Sequence, residues 1–477
     1  MAVPVVTTGA GGRIGDGETH VLKARQRVAG SEVLQALTAF FYVMLARGGG
    51  TAATLVYTVI LVRLLTPEEF GAVSSLWSLA LLLVPLATLN LAPVAIRTVV
   101  AARQAGDDAL AAGFVAFTRR VNLVAAPVAM ALFLGIVWLR FPDLLGAATA
   151  GIGLTAVAIL GMAQVQTGAA IGVALDKAAA TQVPRELVRP VMLLAALLVV
   201  AAFGLPLSLS GALMLYCATV LVNIALQAHL LREAMAFVTA QPPRIENARS
   251  WVATGLFLLP TRMVNDNAKL VMIVAASAVL PLDQVALITV ALSVSGLLNF
   301  AISSVEISFS AKLSRALHAG DTGRITRFLA VAGGVKVLLC AGMVAVVALL
   351  LDPLLALFGT HYAVADDITL ILLGIPLVQA LFGKADLVLL VHDLRHRIFW
   401  IQLVTLLLLP ASAALSLLLP GLDATRLTAA GYVCAFGFGY GALWWTARAA
   451  TGIDTSAPGA LLRFLRARRQ TPPGDGS

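Results

Sequence analysis

Long apolar stretches recur along almost the whole chain and are separated by short polar connectors. Most of them approach or exceed the roughly 20 residues that a helix needs to cross a bilayer. They are rich in Leu, Ala and Val and lack the alternation of membrane β-barrel strands, so the pattern predicts helices. From that length, about twelve spans are predicted, at approximately residues 34–62, 71–96, 112–139, 144–170, 187–204, 210–231, 251–280, 284–307, 328–351, 368–391, 398–419 and 427–447.

The composition indicates an integral membrane protein. Hydrophobic residues make up 60% of the 477 residues and charged residues only 12%, whereas a soluble domain carries roughly 25% charged residues. A chain of this composition has too few polar groups to cover a surface in water. The predicted fold class is therefore an all-α polytopic membrane protein.

The basic residues lie mainly on one side of the predicted spans, and this bias sets their orientation. With the N-terminus in the cytoplasm, only Arg63, Arg140 and Arg426 of the 33 basic residues fall in outer connectors. We therefore expect a multi-pass protein of the cell (inner) membrane with both termini in the cytoplasm. The net charge of +9 reflects this topology and does not indicate a nucleic-acid partner.

A weak internal repeat divides the spans into two sets. The segment RLLTPEEFGAVSSLWSLALLL around Pro67 is followed by an Ala-Gly-Asp triplet that ends at Asp107. The segment AVLPLDQVALITVALSVSGLL around Pro281 is followed by the same triplet, which ends at Asp321, equally far from its proline. Six spans in each copy keep the copies parallel. The repeat thus predicts two six-helix lobes that form a V-shaped transporter.

The domain boundaries follow from this repeat. The connector REAMAFVTAQPPRIENARS lies at the junction of the two copies and is the natural hinge. The basic amphipathic stretch GALLRFLRARRQ near the end of the chain is expected on the anionic inner leaflet. The predicted divisions are a disordered cytoplasmic N-terminal tail at 1–30, an N-terminal lobe at 31–231, the connector at 232–250, a C-terminal lobe at 251–447 and a basic cytoplasmic tail at 448–477.

The seventh predicted span contains a cluster of polar side chains near its middle. In a continuous helix, the spacing of Arg262, Asn265 and Lys269 puts them on one face. Asp266 lies one turn from Arg262 and is expected either to pair with it or to take part in proton or cation coupling. Charges at this depth are costly in lipid. The cluster is therefore expected to face a watery interior.

The first span carries a matching cation, Arg47, beside Gly48–Gly50. The offset between the two repeats places Arg47 next to Arg262, which has Pro260 beside it. Glycine and proline both loosen a helix locally. We expect Arg47 to line a polar cavity opposite Arg262. The alternative is that Arg47 pairs with a buried carboxylate or with carbonyls and only fixes helix packing.

The other charged residues in the spans are expected to lie near the cytoplasmic ends of their helices and not to bind the substrate. Lys336 and Lys384 lie nearer the cytoplasmic ends, where their ammonium groups are expected to reach the interface. Glu306 and Asp386 are read as acids at the cytoplasmic edge, although they could couple protons or sodium. No metal-ligand, nucleotide-binding or nucleophile motif occurs, so we expect no catalytic residue, metal or cofactor. A cavity with excess cations favours an anion such as phosphate or diphosphate.

Two motifs resemble those of a known family. LVRLLTPEEFGAVSSLWSLALLL, with Arg63, Pro67, Phe70 and Gly71, resembles the first-loop signature of bacterial polysaccharide-repeat flippases. These belong to the multidrug/oligosaccharidyl-lipid/polysaccharide exporter superfamily. FSAKLSRALHAGD, which ends at Asp321, is similar to the connector after the eighth span in that superfamily. The second-half loop VLPLDQV departs from the pattern, because it lacks the arginine and the Phe-Gly pair.

The resemblance implies two six-helix bundles with alternating access and a polyprenyl-diphosphate-linked oligosaccharide as substrate. The oligosaccharide would pass from the cytoplasmic to the outer leaflet for assembly of a cell-surface polysaccharide. Arg47 and Arg262 would contact the diphosphate, with Lys269 and Asn265 beside them, while the polyprenyl chain stays in lipid at a lateral portal. Membrane lipids and a polysaccharide polymerase are the implied partners.

Three other functions remain open at this point. A cation-coupled multidrug exporter of the same fold would favour acidic residues in the cavity. A membrane-bound polysaccharide polymerase or ligase would need a long outer loop with catalytic side chains, and the longest here, LDPLLALFGTHYAVADD, is short. A structural scaffold would leave the charges within the membrane unexplained.

Overall fold

The structure of the protein is a computed structural model that describes residues 45–419 and 422–470. Within these residues every regular element is helical and none is a strand. The predicted N-terminal tail at 1–30 and the start of the first predicted span lie outside the described residues.

The helices follow the two halves of the chain. In the first half they are α1 (Leu45–Leu64), α2 (Pro67–Ala87), α3 (Ala92–Gln104), α4 (Asp108–Arg140), α5 (Pro142–Ala174), α6 (Ala178–Val183), α7 (Arg189–Ala202) and α8 (Leu209–Thr239), with a π-helical turn at Pro184–Val188. In the second half they are α9 (Ala248–Phe257), α10 (Leu259–Asn265), α11 (Ala268–Val279), α12 (Leu282–His318), α13 (Thr322–Leu349), α14 (Leu351–Phe358), α15 (Asp366–Leu372), α16 (Gly374–Phe382), α17 (Ala385–Val391), α18 (Arg395–Leu418), α19 (Ala424–Thr451) and α20 (Ala457–Gln470), with a 3₁₀ turn at Thr360–Ala365.

The all-α polytopic prediction is confirmed. Nine helical segments in the described part of the chain are long and apolar enough to cross a membrane. The fifth predicted span, 187–204, contains the end of the π-helical turn and α7, while the seventh is broken into α9, α10 and α11. The division into lobes at residues 31–231 and 251–447 stays a prediction, and α8 extends to Thr239, into the predicted connector.

The two Ala-Gly-Asp triplets have the same local structure. Gly106 and Gly320 adopt the left-handed backbone conformation, with φ of 71° and 64°, which glycine adopts without steric penalty. Asp107 and Asp321 each follow that glycine and cap the next helix, accepting hydrogen bonds from the backbone N–H of Leu110 and Arg324. The repeat in the sequence is therefore a repeat of one helix–turn–helix connection.

The two halves of the chain pack together where α2 and α12 begin, which we call the α2–α12 end. Thr66 and Glu69 form a reciprocal capping box at the start of α2. A Cβ atom on Gly71 would lie 1.9 Å from the carbonyl oxygen of Leu282, so only glycine allows α2 to approach α12 this closely. The Phe-Gly pair of the first-loop motif thus serves contact between the halves, with Phe70 buried next to it.

Two arginines extend this contact. Arg63 at the end of α1 donates hydrogen bonds to the carbonyl oxygens of Leu357 (2.7 Å) and Ala356 (3.2 Å) in α14. Arg140 at the end of α4 donates to the carbonyl oxygens of Ser277 (3.0 Å) and Leu280 (3.4 Å) at the end of α11. Both guanidinium groups therefore lie at helix C-termini, where free carbonyls and the helix dipole favour a cation.

The last helix, α20, packs against α13 beside a buried carboxylate, Asp454. Burial alone would raise the pKa of Asp454, but hydrogen bonds from Trp444 Nε1 (2.7 Å) and Ser456 Oγ (2.7 Å) outweigh it. With the nearby Arg463, they hold this pKa below its ordinary value of 3.8. Leu461, Leu462 and Leu465 stay exposed on the outer side of α20, which suits the predicted contact with lipid.

Docking of α20 is expected to be lost in acid. Because the pKa of Asp454 is lowered in the folded state, the carboxylate contributes its full stability above its unfolded pKa, and this is lost as the pH falls through the lower folded value. A spin label at Arg466→Cys should become mobile below about pH 4. With Asp454→Asn, it should already be mobile at neutral pH. A label that stays immobile in acid, or in the Asp454→Asn variant, would contradict this role.

Candidate functional site

A polar cavity of about 960 Å³ lies between the two halves of the chain. The first half contributes α1, α5, α6 and the π-helical turn, and the second half contributes α10, α11, α12, α16, α17 and α19. The sequence-predicted site residues all line this cavity: Arg47, Arg262, Asn265, Asp266 and Lys269. Their role in binding a substrate stays a prediction.

The predicted seventh helix is interrupted at the cavity, so the expectation that one continuous helix aligns these residues is wrong. Helix α10 ends at Asn265 and α11 begins at Ala268. Between them, the backbone N–H groups of Asp266 and Asn267 both donate to the carbonyl oxygen of Arg262. Asn and Asp favour such turns because their side chains compete with helical hydrogen bonds. The break turns the polar stretch 265–267 towards the cavity.

Neutral amides hold Arg262 in place. Its Nη1 donates to Asn90 Oδ1 at 3.0 Å. With the Gln166 amide oxygen turned towards the guanidinium, that oxygen accepts from Nη1 at 3.1 Å and from Nη2 at 3.2 Å. Both partners belong to the first half of the chain, and Arg262 Nε is buried without a hydrogen-bond partner among the described residues. In the same residues Arg262 and Asp266 form no ion pair, which was one of the two expectations for Asp266.

Arg47 and Lys269 also line the cavity without a carboxylate partner in the described part of the chain. Lys269 Nζ donates to Ser293 Oγ at 3.0 Å. Hydroxyl and amide oxygens orient a cation but do not cancel its charge. The alternative that Arg47 pairs with a buried carboxylate is therefore not supported by the contacts that the structure describes.

The glycines beside Arg47 serve close packing and not a bend. Helix α1 runs without interruption from Leu45 to Leu64. A Cβ atom on Gly50 would lie 1.7 Å from the carbonyl oxygen of Glu186 in the π-helical turn. The glycine therefore lets the backbone of α1 touch that turn.

The π-helical turn adds two charged residues to the cavity that the sequence pattern does not single out. Arg185 and Glu186 both line the cavity and pair with each other at 2.6 Å. Asn223 Nδ2 donates to the carbonyl oxygen of Pro184 at 3.0 Å and supports the turn. Turns of this kind occur often at functional sites. The segment PREL, with a proline just before two charges, was the available signal.

The second half of the chain contains a network of ion pairs that the sequence pattern did not indicate. Glu306 accepts from Lys336 Nζ at 3.2 Å and from Lys384 Nζ at 2.8 Å. The side chain of Lys336 is only 3% exposed, so the expectation that it reaches the interface is wrong. Lys384, Glu306 and Asp386 also line the cavity. The position of the two acids at the cytoplasmic edge stays a prediction.

The charges of the cavity are therefore unevenly compensated. The Arg185–Glu186 pair is neutral, and Glu306 is shared by two lysines. Arg47, Arg262 and Lys269 form no ion pair in the described residues, where two carboxylates of the cavity, Asp266 and Asp386, are likewise unpaired. The wall formed by α1, α10 and α11 thus offers three cations to a ligand and a single free carboxylate.

Solved structures share this fold. An inward-facing multidrug resistance MATE family transporter of the MOP superfamily is similar over 90% of this chain and 99% of its own, with a TM-score of 0.70 and 12% identity. The lipid II flippase MurJ, in an inward closed conformation, is similar over 90% and 93%, with a TM-score of 0.64 and 10% identity. An outward-facing MATE family transporter matches over 91% and 96%, with a TM-score of 0.60 and 13% identity. No protein-family model and no curated protein sequence matches the chain.

Proposed function

We propose that this protein is a flippase that moves a polyprenyl-diphosphate-linked oligosaccharide from the cytoplasmic to the outer leaflet by alternating access. The observation that carries the proposal is the cavity wall with Arg47, Arg262 and Lys269, three cations without ion-pair partners in the described residues. A diphosphate supplies the missing negative charge, and arginine binds it with paired, charge-assisted hydrogen bonds. The shared fold with the lipid II flippase supports a lipid-linked substrate.

The described conformation corresponds to one end of the transport cycle. The halves are in contact at the α2–α12 end, which the distribution of basic residues puts on the outer side. The similarity to the inward-facing MATE structure, with a TM-score of 0.70, exceeds that to the outward-facing one, with 0.60. The cavity is thus open to the cytoplasm before the halves rock apart at the outer end.

Arg63 and Arg140 are expected to stabilise this closed outer end. Each forms two hydrogen bonds across the halves, and exposed charged contacts are worth about 1 kcal/mol each. The double variant Arg63→Ala/Arg140→Ala should shift the equilibrium towards the outward-open form by roughly tenfold or more. Spin labels at Ala147→Cys and Val364→Cys, with Cys434→Ser, should report a longer distance. An unchanged distance distribution would contradict this role.

The proposal is tested by translocation in proteoliposomes. Wild type should move a fluorescent polyprenyl-diphosphate oligosaccharide between leaflets, and Arg47→Ala should lower the rate while the protein stays folded. Arg324→Ala, which removes an exposed arginine outside the cavity, is the matched control. Wild type that moves no diphosphate lipid with any of several sugars would overturn the proposal. Full activity of Arg47→Ala would remove that residue from the site.

A cation-coupled multidrug exporter is the second candidate. Asp266 lines the cavity, forms no ion pair in the described residues, and could bind a proton or a cationic drug. The MATE transporters with the same fold are multidrug resistance proteins. This function predicts uptake of cationic dyes by inverted vesicles that is abolished by Asp266→Asn, whereas the flippase predicts no dye transport. Coupling to protons or sodium belongs to either candidate and is tested by imposing each gradient separately.

A further inference from the structure

A second cavity, which we call the side groove, lies next to the central cavity and has a volume of about 340 Å³. Its walls come from α3, α5 and the segment from α9 to α10. The residues that line the side groove but not the central cavity are mostly apolar: Ala92, Pro93, Ile96, Ala169, Ala170 and Leu258, with Asn90 and Thr261 as the polar ones.

The side groove joins the central cavity at a charged boundary. The residues that line both cavities are Gln166, Val173, Gln182, Arg185, Arg262, Asn265 and Asp266. Arg262 therefore lies where the polar chamber ends and the apolar groove begins, together with the Asp266 carboxylate, and the two form no ion pair in the described residues. A ligand that fills both spaces is polar at one end and apolar at the other, and at the boundary an anionic group of that ligand would meet Arg262.

The apolar end of the side groove reaches a membrane-spanning surface. Ile96 lines the groove and is 39% exposed, and it belongs to the apolar segment Pro67–Gln104. The groove thus connects the exposed side of α3 with Arg262.

We infer that the side groove holds the part of the hydrocarbon chain adjacent to the diphosphate of the transported lipid. The sugar lies in the central cavity, Arg262 binds a phosphate at the boundary, and the first part of the chain lies along Ala170 and Ile96. This rests on the proposed function and changes one expectation, since part of the chain leaves the bilayer for the protein. The order of polar, cationic and apolar surfaces matches the order of sugar, diphosphate and chain.

The test fills the groove without changing any charge. In Ile96→Trp and Leu258→Trp, which change residues of the side groove that do not line the central cavity, translocation of the long-chain diphosphate lipid should fall roughly tenfold or more, because overpacking excludes the chain. A short-chain analogue with the same head group should be moved at nearly the wild-type rate. Leu86→Trp is the matched control, since Leu86 is 37% exposed in the same apolar segment and lines neither cavity.

A cross-linking measurement identifies the occupant directly. A benzophenone amino acid at position 96 should label the diphosphate lipid, and excess unlabelled diphosphate lipid should compete while phosphatidylcholine should not. Equal labelling of phosphatidylcholine would overturn the inference and assign the groove to bulk lipid. Wild-type transport with no difference between Ile96→Trp and Leu86→Trp would overturn it as well. Absence of transport by wild type, in contrast, would overturn the proposed function itself.

Discussion

Arg262→Ala is expected to reduce translocation of a diphosphate lipid by roughly ten- to a hundredfold. Hydrogen bonds to a charged group contribute about 1.5–3 kcal/mol each, and Arg262 is held by the uncharged amides of Asn90 and Gln166. Initial rates in proteoliposomes at saturating and limiting substrate would show whether the loss lies in binding. Arg262→Lys keeps the positive charge but loses the planar guanidinium group that donates paired hydrogen bonds. Its translocation rate should therefore lie between the rates of the wild type and of Arg262→Ala.

The control for this prediction must separate binding from packing, since Arg262 also ties α10 to the first half of the chain. If Arg262 only held α10 against the first half of the chain, Asn90→Ala would lower the translocation rate as much as Arg262→Ala. In that case neither variant would change the affinity for soluble diphosphate. If Arg262 binds the head group, that affinity should fall more in Arg262→Ala than in Asn90→Ala, and should weaken with salt in the wild type. Equal affinities in wild type and Arg262→Ala would contradict the site assignment.

The spans and the repeat were predictable because they rest on composition and on local backbone chemistry. Apolar length specifies a membrane helix, and Ala-Gly-Asp specifies a left-handed turn followed by a capped helix, as seen at Gly106 and Gly320. The alignment of Arg47 with Arg262 followed from the same offset. These features need no knowledge of which helices touch.

What escaped prediction depends on contacts between distant segments. Gly50 meets the carbonyl oxygen of Glu186, and no pattern within α1 reveals that partner. Gly71 likewise meets Leu282, which explains why the second repeat lacks the Phe-Gly pair: the two copies pack against each other at this point, so their contacting residues differ. The break after Asn265 was signalled by Asn-Asp-Asn, but periodicity alone favoured a continuous helix.

The buried ion pairs around Glu306 could not be predicted from the sequence for the same reason, because they join distant segments. Taken singly, Lys336 and Lys384 lie close enough to predicted helix ends for their stems to reach the interface. Only the pairing of α12 with α13 and α17 places both ammonium groups on one carboxylate. A buried lysine 3% exposed requires such a partner, because an unpaired charge in a low-dielectric interior is costly.

Glu306→Gln is accordingly expected to cause the largest loss of stability. Removing one partner of a buried ion pair costs about 3–5 kcal/mol, because the remaining charge is left uncompensated. Here two lysines would be left facing each other across a neutral amide. The midpoint of thermal unfolding in detergent should fall by roughly 3–5 °C, since the entropy of unfolding is about 1 kcal/mol/K for a chain of this length. Glu233→Gln, at an exposed position of α8, should leave the midpoint unchanged.

A charge-matched double variant makes this prediction specific. Glu306→Gln/Lys336→Met removes the buried charge together with its partner, and should recover most of the stability lost in Glu306→Gln, since replacing a whole buried pair is often close to neutral. Lys384→Met alone should be mild, because it leaves the Glu306–Lys336 pair intact and Lys384 is partly exposed at 32%. If the double variant were as unstable as Glu306→Gln, the loss would come from packing around α12. The ion pairs of Lys336 and Lys384 with Glu306 would then contribute little to the stability of the fold.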